Sequence, residues 1–563
     1  MGRKRRRHQD PPPPAAPPVA ERPDRSLLLL ALILLLALAL RLHHFTYNCL
    51  WLDEANGVLF AQASLGEIPS LLAGDAHPPL YYFLLHFWML LFGAGEIAVR
   101  SLSLLCGLLL IAGVYLWGRR IFTPGLGLAA AFYLAITPIQ VFHSRQARMY
   151  TLLPLLALMA LGHLWLYLDR QRRRDLVLFC LFLLAALFTH YFALHLLPVC
   201  GLLVLLSGRL KVNRYAWLVA GVVILAVGLL WLPNFLAQAG LPGQNAWIAP
   251  TKETWNLLQE PWHSLLSYSP GGEHSAYGGH RTDLWRGWPP LALTTLGEIH
   301  APNRQTGLHW VAMGSSLLAL TGIVRLRRGR RTWGRTAALL PPLWLLLPMA
   351  SATVATRLPG VPAHYIPGRV DQLMLPAFAL LTGHGLLVPG KAWLRGGLVV
   401  VLLAVSLLTL SRFNIDPTKV GVTGNPTAGQ EREAVAKIAE LHRPGDVVLC
   451  TGWSNRSTEY YMQRQGIRGE PITFLPFIPD FSRDRERRLQ RVERLWRRGA
   501  ARKIKARLRP GGMIYLLFLV EENIELALKR LKQKKLLLPI VPIEHYILAG
   551  IFHRLILVKA YIP

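Results

Sequence analysis

Two adjacent acidic residues, Asp53 and Glu54, stand just after the first long apolar segment of the chain. A carboxylate near the hydrocarbon edge of a membrane is costly to desolvate, so such residues point to a functional site. One carboxylate can accept a proton from an attacking hydroxyl group, and two together could also hold a divalent cation. Two solvated loop acids would fit the same pattern, so the interpretation depends on the other polar groups of the chain.

Four further polar groups occur near the ends of apolar segments. Arginine forks pair with phosphate through two hydrogen bonds. Displacing a sugar from a lipid phosphate needs a base for the acceptor and cations for the departing phosphate, and these groups supply both. The predicted catalytic residues are Asp53 and Glu54, and the predicted donor- or phosphate-binding residues are His77, Tyr81, Arg100, Arg145, Arg148, Tyr150, His364, Tyr365 and Arg369.

The composition is typical of a membrane protein. Apolar residues make up 52% of the 563-residue chain, the mean hydropathy is +0.33, and several stretches reach the length that a bilayer requires. The net charge of +31 comes from 62 basic residues against 31 acidic ones. Such an excess can indicate nucleic-acid binding. Here the basic residues cluster beside apolar segments, which favours membrane anchoring and argues against nucleic acid as a partner.

The cysteines argue against a structural metal site. The chain has five cysteines, and their spacing does not match a zinc site. Cys49 and Cys450 are expected outside the membrane on the extracytoplasmic side, where a disulfide between them is conceivable. For a divalent cation the remaining candidate ligands are Asp53, Glu54 and His77.

The basic residues also predict the path of the chain through the membrane. A basic cluster at residues 3–7 precedes the first apolar segment and is expected to stay in the cytoplasm. About eleven segments can then be placed so that every short arginine-rich loop lies on the cytoplasmic side. They are residues 26–45, 98–118, 126–142, 150–168, 176–192, 195–206, 216–235, 308–324, 336–353, 370–387 and 394–410. The aromatic stretch 79–92 would reverse every later loop if it crossed, so we predict a helix in the outer interface.

The composition changes at about residue 413. An amphipathic helix over residues 431–441 and a buried strand at 447–450 begin an alternation of helices and strands, which is typical of an α/β domain. The predicted fold is a polytopic α-helical membrane protein with a C-terminal extracytoplasmic α/β domain. The predicted domains are a disordered, basic and proline-rich cytoplasmic tail at 1–25, a transmembrane domain at 26–412 with outer loops 46–97 and 237–306, and the α/β domain at 413–563.

The order of the motifs resembles that of a known family. Trp51-Leu52-Asp53-Glu54 is followed by His77-Pro78-Pro79-Leu80-Tyr81-Tyr82, by Glu96 to Arg100-Ser101-Leu102, and by Ala147-Arg148-Met149-Tyr150. The set is similar to GT-C glycosyltransferases of the protein-O-mannosyltransferase and lipid A aminoarabinose-transferase type, called family 39. The resemblance covers residues 27–206 well and the rest only in topology. One departure is Gln146, where related bacterial sequences often carry an acid.

The resemblance implies a GT-C enzyme that moves a hexosyl or pentosyl group from a polyprenyl-phosphate-linked donor with inversion. Asp53 matches the proposed general base of the family, whereas Glu54 could orient Asp53, hold a metal or support the loop. The acceptor would be a glycan, a lipid or a protein outside the cytoplasm. The protein is then expected to be a multi-pass protein of the bacterial inner membrane with a cytoplasmic N-terminus.

A lipid or sugar transporter, or a flippase, is the alternative function. Transporters often show inverted repeats and polar groups near the middle of the bilayer. Here the polar groups are expected at one interface, and no internal repeat is visible. A scaffold whose basic tail binds envelope polymers would leave the clustered motifs unexplained. The sequence therefore favours the enzyme.

Overall fold

The computed structural model describes residues 25–75, 77–208, 214–239, 306–355, 370–415, 431–451, 455–475, 503, 506–508, 513–519, 541–549 and 554–561. Three predicted features lie outside these residues. They are the tail at 1–24, most of the outer loop 237–306, and the group His364, Tyr365 and Arg369.

Apolar segments form the helices of the N-terminal part, because a helix satisfies its own backbone hydrogen bonds inside a membrane. Helices α1 to α11 are Arg25–Leu42, Leu52–Gln62, Ile68–Leu72, Leu80–Phe92, Glu96–Ile121, Pro124–Ile136, Pro138–Ser144, Leu152–Arg170, Arg173–Leu187, Leu196–Ser207 and Arg214–Ala239. Helices α12 to α16 are Thr306–Arg328, Arg330–Trp333, Arg335–Ala355, Leu375–Leu386 and Ala392–Ile415. Two 3₁₀ turns, Tyr191–His195 and Val370–Met374, precede α10 and α15.

Each of the predicted membrane segments coincides with a helix or with a broken pair of helices. Among the described residues, four helices are long and apolar enough to cross a membrane: α1, α5, α8 and the part of α11 from Ala220 to Gln238. The pair α6 and α7, bent by 66°, makes a fifth if it forms one broken span. The fold is thus a multi-pass helical membrane protein, and the count of eleven spans stays a prediction.

Helix α4 covers the stretch for which an interfacial helix is predicted. Its 13 residues extend over roughly 20 Å at about 1.5 Å per residue, which is short of a hydrocarbon core of about 30 Å. Tyr81, Tyr82 and Leu85 form its buried face. The helix is confirmed, and its position in the interface stays a prediction.

Arg41 donates hydrogen bonds to the chain at the break between α6 and α7. Pro138 has no N–H, so the carbonyl of Leu134 loses its normal helical partner. The fully buried Arg41 guanidinium donates to the carbonyls of Leu134 at 3.4 Å and Ala135 at 3.0 Å, and to the Ser144 hydroxyl at 3.1 Å. One charged side chain of α1 thereby satisfies two backbone carbonyls at the bend and links α7 to α1.

The C-terminal part is an α/β unit, as predicted. Helix α17 (Glu431–Leu441) turns Ala434, Val435 and Ile438 inward, and strand β1 (Val447–Thr451) follows it. The remaining elements are α18 (Asn455–Arg464) and strands β2 (Ile472–Leu475), β3 (Met513–Leu519), β4 (Val541–Ala549) and β5 (Arg554–Tyr561). The strand order is β2-β1-β3-β5-β4, with β1 parallel to β2 and β3, and β5 antiparallel to β3 and β4.

The N-terminus of α17 packs against the connection between α1 and α2. The Cys49 thiol donates to Glu433 Oε2 at 3.6 Å, and both Cys49 and Cys450 are free thiols in the structure. Glu431 is 5% exposed. Burial, with a smaller contribution from Glu433, raises the pKa of the Glu431 carboxyl to about 7. The C-terminal unit therefore docks with an acid that holds its proton up to about pH 7.

Arg41→Met should lower the melting temperature of the purified protein in detergent. The change leaves the carbonyls of the α6–α7 bend unpaired in an apolar interior, at about 1–3 kcal/mol for each group. Arg120→Met, which removes an exposed arginine at the end of α5, is the control. Equal melting temperatures for the two variants would contradict the bracing of the bend by Arg41.

The stability of the docked C-terminal unit should fall as the pH rises. The unfolded chain loses the Glu431 proton near its ordinary pKa of 4.5, whereas the folded chain holds it until about pH 7. The folded state therefore binds more protons in this window, and stability decreases with pH. Melting temperatures at pH 5 and pH 8 should differ less in Glu431→Gln than in the wild type. An exposed acid of the same helix, changed in Glu440→Gln, should leave the wild-type difference intact.

Candidate active site

Glu54 lies at the centre of a buried ion pair. Its oxygens accept from Arg100 Nε at 2.9 Å and Arg100 Nη2 at 2.8 Å. The two side chains are 1% and 3% exposed. The same carboxylate accepts the backbone N–H of Ala147 at 2.7 Å and that of Trp51 at 3.4 Å. Glu54 thereby connects the start of α2, the start of α5 and the segment before α8.

Arg100 uses its other donors on the connection between α1 and α2. Its Nη1 donates to the carbonyls of Phe45 at 3.1 Å and Asn48 at 2.9 Å, and its Nη2 donates to that of Cys49 at 3.0 Å. With the two bonds to Glu54, these contacts account for the five N–H groups of a guanidinium. A phosphate at Arg100 would have to displace one of these acceptors.

Asp53 faces a different neighbour from Glu54. Its side chain is 25% exposed, and its Oδ2 lies 4.0 Å from Arg148 Nη2. The Arg148 Nη1 donates to the Asp53 carbonyl at 3.1 Å. Arg148 is itself buried, at 2% exposure. The geometry therefore presents one partly accessible carboxylate beside one buried cation.

His77 extends this pair into a chain of polar contacts. Its Nε2 lies 3.3 Å from Arg148 Nη2, and its Nδ1 lies 3.3 Å from Asp75 Oδ2. An arginine can only donate, so His77 Nε2 is the acceptor, and Nδ1 carries the hydrogen that reaches Asp75. The Tyr82 hydroxyl donates to the same Asp75 oxygen at 3.0 Å. Burial, together with Asp75, raises the pKa of the Tyr82 phenol, which keeps it a donor.

Tyr81 and Arg145, two other predicted residues, contact protein groups. The buried Tyr81 hydroxyl lies 3.1 Å from Ser103 Oγ, so it ties α4 to α5. Arg145 donates to the carbonyls of Leu40 at 2.6 Å and Arg41 at 3.2 Å, at the end of α1.

Tyr150 belongs to the surroundings of Arg148. The Arg148 guanidinium carbon lies 5.9 Å from the centre of the Tyr150 ring, within the range of a cation–π contact. The structure therefore brings together residues from four of the five predicted groups at one end of the helices. The fifth group, with His364, Tyr365 and Arg369, lies outside the described residues.

The described part of the chain contains no group of three or more His, Cys, Asp and Glu side chains that could hold a metal ion. Asp53, Glu54 and His77, the candidate ligands, do not form such a group. Glu54 is bound to Arg100, and both ring nitrogens of His77 contact protein groups.

Sequence reasoning missed two residues that hold His77 in place. Asp75 accepts from the His77 ring, and its position two residues before His77 was the available signal. Gln238 donates to the carbonyls of Leu72 at 2.7 Å and His77 at 3.2 Å. A polar residue at the end of the apolar helix α11 was the corresponding signal.

Comparison with protein families supports the same class of enzyme. Residues 76–232 match the model of the dolichyl-phosphate-mannose-protein mannosyltransferase family. The match includes His77, Arg100, Arg148 and Tyr150 and begins after Asp53. A search of curated proteins found no match.

Solved structures of similar fold cover most of the chain. ArnT from Cupriavidus metallidurans in the apo state is 15% identical with a TM-score of 0.53, covering 95% of this chain and 97% of ArnT. The structure of the same protein bound to undecaprenyl phosphate is also 15% identical, with a TM-score of 0.51, and the match covers 95% of this chain and 97% of ArnT. The Archaeoglobus fulgidus oligosaccharyltransferase, tethered with an acceptor peptide containing the NVT sequon, is 12% identical with a TM-score of 0.51. The match covers 88% of this chain and 69% of the oligosaccharyltransferase. The shared fold and the family match confirm the predicted resemblance to GT-C glycosyltransferases and favour an enzyme over a transporter.

Glu54→Gln should destabilise the protein far more than Asp53→Asn. The first change leaves the Arg100 charge buried without its partner, which costs about 3–5 kcal/mol. The second removes an acid that is partly exposed. Thermal unfolding in detergent compares the two variants, and similar melting temperatures would contradict a structural ion pair at Glu54.

Proposed function

We propose that this membrane glycosyltransferase of the GT-C type transfers a sugar from a polyprenyl-phosphate-linked donor to an extracytoplasmic glycan, lipid or protein. The reaction inverts the anomeric carbon, and Asp53 is the general base. One observation carries the proposal. Of two adjacent acids, Glu54 is bound within the protein, whereas Asp53 is partly exposed and lies 4.0 Å from a buried arginine.

The proposed reaction is a direct displacement at the anomeric carbon. The acceptor hydroxyl gives its proton to the Asp53 carboxylate as its oxygen bonds to that carbon. The bond from the carbon to the donor phosphate oxygen breaks, and its electron pair leaves with the phosphate. Attack opposite the phosphate inverts the configuration. The products are the glycosylated acceptor and polyprenyl phosphate, and Asp53 returns its proton to solvent.

Arg148 is the group we assign to the departing phosphate. Its Nε–H is buried and has no hydrogen-bond acceptor among the described residues. An unsatisfied buried donor is costly, and a phosphate oxygen of the donor would satisfy it with a charge-assisted hydrogen bond. Contacts with His77 and Tyr150 then hold the guanidinium in place.

The nature of the donor and acceptor is supported by the comparisons. The ArnT structure of similar fold binds undecaprenyl phosphate, and the matching family model is described as using dolichyl phosphate mannose. The oligosaccharyltransferase of similar fold was solved with an acceptor peptide. We therefore propose a lipid-phosphate donor for this chain and leave the acceptor as one of the three classes.

The orientation and domain limits follow from the distribution of charge. Arginine-rich loops on the cytoplasmic side would place the Asp53 end of the helices on the outer face of a bacterial inner membrane. The transmembrane domain would then cover residues 26–412, and the α/β domain at 413–563 would lie outside the cytoplasm.

Asp53→Asn should abolish sugar transfer while the protein inserts and folds. Loss of a general base lowers the rate by about 10²–10⁴-fold. The measurement is transfer of radiolabelled sugar from lipid donor to acceptor in membranes that contain equal amounts of each protein. Glu67→Gln, which changes an exposed acid of the same outer loop, is the control and should retain activity.

Full activity of Asp53→Asn would overturn the assignment of the base. Mass spectrometry of lipid co-purified with Asp53→Asn tests the donor separately, because an inactive enzyme should retain its substrate. A polyprenyl-phosphate sugar in that fraction would identify the donor.

A further inference from the structure

The connection between α1 and α2, residues 43–51, positions Asp53 but has no regular structure of its own. Buried backbone groups outside helices and strands must find other partners. In this loop, side chains supply several of these partners. Arg100 takes the carbonyls of Phe45, Asn48 and Cys49, and Glu54 takes the N–H of Trp51.

The C-terminal unit supplies two further partners. The Tyr461 hydroxyl, on α18, accepts the backbone N–H of Leu50 at 2.8 Å. Arg432, on α17, donates to the carbonyl of Thr46 at 3.1 Å. Leu50 is fully buried and Tyr461 is 5% exposed, so water cannot readily replace the hydrogen bond between them.

Glu96 holds both of these side chains at the membrane domain. Its Oε1 accepts from the Tyr461 hydroxyl at 2.7 Å, and its Oε2 accepts from Arg432 Nη1 at 3.1 Å. Glu96 stands one helical turn before Arg100 on α5. The first turn of α5 therefore holds the loop through Arg100 on one side and through the C-terminal unit on the other. We call Glu96, Arg432 and Tyr461 the loop clamp.

We propose that the loop clamp makes the C-terminal unit part of the catalytic apparatus, with Tyr461 as a positioning residue for Asp53. The hydroxyl fixes the N–H of Leu50, three residues before Asp53, and thereby the entry of the chain into α2. This inference rests on the proposed function. A displacement of about 1 Å in a catalytic group can cost on the order of a hundredfold in rate, so a contact that touches no substrate can control turnover.

The matched pair Tyr461→Phe and Tyr460→Phe tests the proposal. Both changes remove one buried hydroxyl from the same helix. Tyr460 donates to the carbonyl of Ala94 at 2.8 Å, outside the loop. Tyr461→Phe should lower kcat by about tenfold or more, with the KM for the lipid donor within about twofold. Tyr460→Phe should leave kcat near the wild-type value.

Hydrogen exchange provides a readout that does not depend on transfer. Peptides that contain the Leu50 amide should exchange faster in Tyr461→Phe and at the wild-type rate in Tyr460→Phe. Glu96→Ala removes from α5 the side chain that accepts from both Tyr461 and Arg432. It should likewise speed exchange of the Leu50 amide and lower kcat, and it tests the clamp if Tyr461→Phe does not fold.

Each outcome decides between the parts of the proposal. Equal exchange in the two tyrosine variants overturns the clamp. Faster exchange in Tyr461→Phe with an unchanged kcat overturns its part in catalysis. Equal losses of kcat in both variants indicate that activity depends on docking of the C-terminal unit as a whole. This result also overturns the assignment of Tyr461 as the positioning residue. A wild-type protein that transfers no sugar refutes the proposed function, while hydrogen exchange still decides whether the clamp holds the loop.

Discussion

The buried pair of Glu54 and Arg100 is the interaction on which the outer end of the molecule depends. Moving two charges out of water costs several kcal/mol for each ion, and the cost is offset only when every remaining donor and acceptor is satisfied. Here the surrounding backbone satisfies them, with three loop carbonyls on Arg100 and two N–H groups on Glu54. The pair thus fixes three chain segments to one point.

Helix geometry explains how two neighbouring acids come to differ. Adjacent residues of an α-helix project about 100° apart, so the first turn of α2 sends Glu54 inward to Arg100 and Asp53 toward Arg148. The inward acid ties the loop to Arg100, and the outward acid presents a partly exposed carboxylate beside Arg148. Preorganisation of this kind lets a charged group act without first rearranging its surroundings.

The positions of helices and strands depend on contiguous residues and could be predicted from the sequence. The burial and the contact partners of individual polar side chains could not. Apolar length located the helices, and the pattern of residues 431–450 located α17 and β1. Strand β2, only four residues long, gave no such signal. Arg100 looks the same in sequence whether it faces a phosphate or a carboxylate 46 residues away. Tyr461 lies far from every motif, and its contact with Leu50 exists only because two distant parts of the chain dock.

The brace at Arg41 has a consequence for how the protein is made. Two acceptors of Arg41, Ala135 and Ser144, are 94 and 103 residues further along the chain. During synthesis α1 therefore precedes these two acceptors, and until they are made the guanidinium can pair within its own helix only with the carbonyl of Ala37. The hydrogen bonds that join α1 to the bend can form only after α6 and α7 have been made. Assembly of the membrane domain thus has an order, in which a later helix pair completes the hydrogen bonding of the first helix.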